Sequence, residues 1–123
     1  MPASSAGPKV EQGSTLAVVV KLSPDDAATY IASVEAEIRG CIDHCGLGDS
    51  SVSSAAIHEQ IHRLKNALAP TGSPELLSAC ERLHVDAAFD AERSRLAQSY
   101  IAVANAALKA VIHFKTSEAG SRP

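Results

Sequence analysis

Aromatic side chains are nearly missing from this chain of 123 residues: two tyrosines, two phenylalanines and no tryptophan, 3% in all. An interior without large rings has to be built from Ala, Leu, Ile and Val, which suits closely packed helices better than a sandwich or barrel. Surplus positive charge is absent as well. Eleven Lys and Arg stand against fourteen Asp and Glu, a net charge of −3, which leaves no electrostatic footprint for nucleic acid. No apolar run approaches the roughly 20 residues of a membrane span. Leu16-Ala17-Val18-Val19-Val20 is stopped by Lys21 and lacks the flanks of a signal peptide. Cysteines number three, an odd count without scaffold-like spacing, which fits a reduced protein of the cytoplasm. Glycine-rich nucleotide loops, serine-triad patterns and placed acid pairs are missing too. The chain is therefore not expected to be an enzyme in its own right, and it has no segment with which to bind ATP.

What is present is helical periodicity, in an amount that fits one domain with one core. Residues 1–13 are rich in Pro, Ser, Ala and Gly and read as a flexible linker. Residues 14–22 are ambiguous: the valines favour a strand locally but have no second strand to pair with, so an extended or short helical lead-in is expected. Ser23-Pro24-Asp25-Asp26 is a helix start, with Ser as N-cap, Pro at the first helical position and acids at the positive end of the dipole. Ala27, Ile31, Val34, Ile38, Cys41 and Cys45 then follow a bundle-seam spacing, and Gly46 and Gly48 end that helix. A second helix begins between Asp49 and Ser54 and closes at Pro70 and Gly72. Ser73-Pro74 repeats the start signal for a third, with Leu76, Leu77, Cys80 and Leu83 on its buried face. Asp86 is expected to cap the fourth. There Phe89, Leu96, Val103 and Ala110 recur every seven residues beside Tyr100, Ala107 and Phe114, as far as about Lys115. The expectation is an all-α fold, an antiparallel up-down four-helix bundle over residues 14–116, followed by a disordered tail at 117–123.

The second helix carries the chemistry. At about 100° per residue, with Ile57 at zero, Ile61, Leu64 and Leu68 fall within roughly 40° and form a narrow core-facing stripe. His62 points about 140° away, Lys65 about 80°, His58 about 100° and Ala69 about 120° by the same geometry. An imidazole is thus held out to solvent with a cation one turn further along, an arrangement able to carry an anionic group. Taken singly, His62 is a solvated surface histidine and Lys65 a solvated charge; their pairing, the glycine at 72 and the apolar helix that follows argue for more.

His62, Leu64, Lys65 and Gly72, continued by Leu76, Cys80 and Leu83, resemble the histidine-containing phosphotransfer domains of multistep phosphorelays. Those domains carry His-x-Leu-Lys-Gly, a glycine ten residues after the histidine, and then Leu-x-x-x-Cys-x-x-Leu. The resemblance spans roughly residues 49–83 by motif and the rest by helix count and order. It implies that His62 accepts a phosphoryl group on Nε2 from the aspartate of a response-regulator receiver domain and passes it to another receiver. Lys65 would offset the phosphate charge, and His58, Arg63, Asn66, Ala69 and Gly72 would shape or line the docking surface. It also implies that the domain needs no cofactor, since the receiver brings Mg²⁺. The implied setting is the C-terminal module of a hybrid sensor histidine kinase, or else a free-standing relay protein, a monomer that contacts neither nucleic acid nor membrane. Asn66 stands where the family has glycine; it would either restrict the partner's approach or donate a hydrogen bond to the phosphate.

Two rivals remain at this stage. One is a non-catalytic helical adaptor that binds a receiver or another signalling partner on the same flank without carrying phosphate. The other is a metal-binding helical protein using His58 and His62, one turn apart, or the run Cys41-Ile42-Asp43-His44-Cys45. Cys41 and Cys45 sit at seam positions and read more simply as small core residues, as does Cys80. His84 and His113 carry no argument beyond surface histidines.

Overall fold

The computed structural model describes residues 7–49, 51–89 and 92–120, with only the backbone of the last two. Residues 1–6 of the expected linker and 121–123 of the expected tail lie outside the described residues. All regular structure among those described is helical: α1 (Thr15–Leu22), α2 (Ala27–Asp43), α3 (Ser54–Leu68), α4 (Pro74–Ala88) and α5 (Arg93–Gly120), with 3₁₀ turns at Pro24–Asp26 and Ala69–Thr71. The described residues form five helices where four, preceded by an extended or short helical lead-in, were expected. The additional one is α1, where the valine run has no strand partner and Ser14 caps a helix instead, its hydroxyl accepting from the Ala17 amide at 3.1 Å. Leu16 and Val20, one turn apart, are its buried residues.

Serine sets two more starts. Ser53 accepts from the Ala56 amide at 3.1 Å and Ser73 from the Leu76 amide at 3.2 Å, each satisfying a donor the first turn leaves free. The expected cap at Ser23 does not form. Pro24, Asp25 and Asp26 wind into a 3₁₀ turn first, and α2 begins at Ala27 without a side-chain cap. Helix α2 also stops earlier than its glycines suggest, at Asp43, with His44 folding its Nδ1 back to within 2.9 Å of the Gly40 carbonyl. Asp86 caps nothing. It lies inside α4, whose helix-forming residues carry the helix on to Ala88, and α5 starts at Arg93. Phe89, assigned by periodicity to the core row of the last helix, falls after α4 and before α5 and is 81% exposed. At its far end α5 runs past Lys115 to Gly120.

The helices α2, α3, α4 and α5 each pack on their neighbours in turn, and α2 closes against α5. The core is the expected aliphatic one. Ile31, Val34 and Ile38 from α2, Ile57, Ile61 and Leu64 from α3, Leu76, Cys80 and Leu83 from α4, and Leu96, Ala104 and Ala107 from α5 are all buried. Tyr100 is the single fully buried ring among the described residues, its hydroxyl donating to the Gln60 carbonyl at 3.3 Å. Glu35 ties α2 to α5 through Lys115 at 2.9 Å, with Arg39 at 3.8 Å on its other side. Arg93 reaches from the first turn of α5 to the carbonyls of Val52 (2.9 Å) and Asp49 (3.3 Å) before α3.

Gly72 links α3 to α4 in the left-handed region, φ +65°. A Cβ there would meet the Cβ of Ser14 at 2.7 Å. The adjoining Thr71 is fully buried; its carbonyl accepts the Glu11 amide at 2.9 Å and its hydroxyl donates to the Leu68 carbonyl at 2.7 Å. The segment before α1 is thereby pinned across the α3–α4 connection.

Candidate functional site

Helix α3 is held rigidly from below, because Ile57, Ile61, Leu64 and Leu68 are all buried, as the stripe requires. The opposite side of the helix stands clear of the core, and His62 is exposed there. It occupies a ridge with a different kind of wall on each side.

On the α4 side, two cross-helix contacts flank it. Lys65 forms an ion pair and hydrogen bond with Glu81 of α4, at side-chain exposures of 39% and 57%. The Glu81 carboxylate raises the lysine pKa, and the ammonium in turn lowers that of Glu81. One turn before His62, His58 meets His84 of α4, with the two Nδ1 atoms 2.8 Å apart. Burial holds His84 below the ordinary imidazole range, with His58 the next largest cause. The earlier residue of α3, His58, meets the later residue of α4, His84, and the later one, Lys65, meets the earlier, Glu81, so the two helices run antiparallel.

On the α2 side, Arg63 and Asn66 face a shallow groove of about 350 Å³, with Tyr30, Ser33, Glu37 and Pro70 on its other walls. Ala69 is exposed in the 3₁₀ turn just beyond. The candidate residues are therefore split by the His62 ridge: Lys65 and His58 belong to the α3–α4 seam, Arg63 and Asn66 to the α2–α3 groove. Gly72 lies at the end of the hairpin beneath Ser14, where its part is to shape the connection.

Glu81 had no place in the expectations from sequence, and His84, expected as a surface histidine, is half-buried against His58. Nothing on α4 alone distinguishes them from solvated residues. Their signal is relational: they flank the buried Cys80 and Leu83 three residues apart, on the side that an antiparallel hairpin turns toward Lys65 and His58.

The cysteine run does not assemble a metal centre. Cys41 is buried, Cys45 half-buried, and His44 is turned to the backbone. Among the described residues, no three of His, Cys, Asp and Glu converge on one point. Burial pushes the Cys80 thiol up to about 11 and raises that of Cys41, as expected of small core residues. No described helix is long and apolar enough to cross a membrane. No family model, curated protein or solved structure matches the chain.

Proposed function

We propose that this chain is a phosphotransfer module of two-component signalling, with His62 as the residue that takes up and releases the phosphoryl group. The observation that carries the reading is the exposed His62 on a helix anchored by five buried residues, with Lys65 one turn away and the Gly72 turn closing the same hairpin. On this reading α2–α5 are an antiparallel four-helix bundle, α1 is its lead-in, and the module works as a cytoplasmic monomer.

The chemistry needs little of the domain itself. The Nε2 lone pair of neutral His62 attacks the phosphorus of a receiver's aspartyl phosphate in line. The P–N bond forms as the P–O bond to the aspartate breaks, and the carboxylate so released stays on the receiver. The reverse step, at a second receiver, passes the group on. Lys65 neutralises part of the charge on the phosphohistidine. Its partner Glu81 is exposed, and exposed pairs exchange readily, so the ammonium can turn from carboxylate to phosphate. Glu81 also keeps a negative charge beside the bound phosphoryl group, which favours its onward transfer.

The test is transfer from phosphorylated receiver domains of the same organism to the wild type and to His62→Gln. Label that survives base, is lost in acid and disappears in the variant supports the reading; receivers that bind but transfer nothing overturn it. The engagement of Lys65 by Glu81 favours a second reading, an adaptor that docks a receiver through the Arg63–Asn66 groove without carrying phosphate. Asn66→Gly separates the two: a gain in phosphate acceptance means that Asn66 obstructs an otherwise competent site.

A further inference from the structure

Phosphotransfer makes no use of the contact between His58 and His84. Their ring planes are inclined by only 6°, their centroids are 5.0 Å apart, and their Nδ1 atoms face each other at 2.8 Å. The centroids lie much further apart than the nitrogens, so the rings meet edge to edge through nitrogen and not face to face. At this distance the ring that carries a proton on Nδ1 donates it to the Nδ1 of the other. Both side chains are half-buried, and each follows a buried core residue, Ile57 on α3 and Leu83 on α4, so the two backbones that carry them are fixed by packing.

Two imidazoles whose nitrogens meet from two rigid helices are donors for borderline-soft divalent metals once unprotonated. We propose that His58 and His84 form a binding site for a divalent transition-metal ion such as Zn²⁺, ligated through both Nδ1 atoms, with water completing the coordination. Zn–N bonds of about 2.0–2.1 Å in tetrahedral geometry place two nitrogens about 3.3 Å apart. The rings now face each other nitrogen to nitrogen, so they have to part by about half an ångström and tilt off that line until both lone pairs meet at the ion, movements that rotation about the side-chain torsions supplies. The proton balance closes without net release. The bridging proton leaves Nδ1 of the ring that holds it and returns through solvent to Nε2 of that ring, so two neutral imidazoles become two neutral ligands.

Among the described residues no third side chain joins the pair. The site is accordingly open and exchangeable, unlike the closed cages of structural zinc. His62, one turn along α3, stays outside it. A dication there would add positive charge beside the phosphoacceptor while leaving its nitrogen free.

The experiment is titration of the intact chain with ZnCl₂ by calorimetry, alongside ¹⁵N spectra of the imidazole nitrogens. Expected is saturable, stoichiometric binding with Nδ1 of His58 and His84 shifted, lost in His58→Gln and in His84→Gln and kept in His62→Gln. The site is overturned by an absence of saturable binding, by binding that persists in both variants, or by shifts confined to other histidines. Should either variant fail to fold, the wild-type ¹⁵N spectrum decides alone. None of these readouts depends on phosphate.

Discussion

At position 72 two independent constraints coincide: the backbone is left-handed, and the space where a Cβ would stand is already filled by Ser14. Gly72→Ala is expected to lower the unfolding free energy by about 2 kcal/mol, read from the urea midpoint. An unchanged midpoint would mean that α1 moves aside without loss. Gly40 is the opposite case, helical and open around its Cα, so Gly40→Ala should stabilise by roughly 0.5–1 kcal/mol. For Glu81 the expectation concerns chemistry. Glu81→Gln frees Lys65, so phosphohistidine made at His62 with phosphoramidate should decay more slowly than in the wild type; equal decay would detach Lys65 from the site. The spacing of His62, Lys65 and Gly72 was legible in the sequence because it is local. The occupation of Lys65 by Glu81 was not, because sixteen residues separate the two and only the packing of α3 on α4 joins them.

Among the elements, the α3–α4 hairpin is the one whose stability should answer to pH. His84 has a folded pKa below its unfolded value, so the unfolded chain binds the proton more tightly. The stability this contributes is present above the unfolded imidazole pKa, about 6.5, and is lost as pH falls through the lower folded value. Burial is the largest cause; His58, Lys65 and His62 push the same way and Glu81 opposes them. Melting temperature should therefore fall more steeply on acidification in the wild type than in His84→Gln; parallel curves would show the pair to be uncoupled from folding. Ser73→Ala, at a fully buried cap, should cost about 1 kcal/mol by the same assay. The serine cap was readable where nothing competed, as at Ser73, whereas at Ser53 the sequence bounded the start only to residues 49–54. At Ser23 the Pro-Asp-Asp run took up a tighter turn, and at Asp86 favourable helix formers on both sides carried α4 through the signal.

Across the whole molecule, aromatic scarcity is answered by small side chains: Ala104 and Ala107 are fully buried on α5, which packs on α2 and α4. Ala107→Leu should overpack this contact and destabilise by about 1–3 kcal/mol, with a matching fall in melting temperature. The helical class and most core residues followed from periodicity alone. Phe89 did not, because a seven-residue repeat does not register where one helix stops and the next begins. Arg93 bears on how the chain breathes. Its single guanidinium closes on two carbonyls before α3, so the first turn of α5 and the α2–α3 connection have no separate freedom to open. Their amides should exchange with deuterium at one common rate, as a single opening event shared by segments some forty residues apart in the chain.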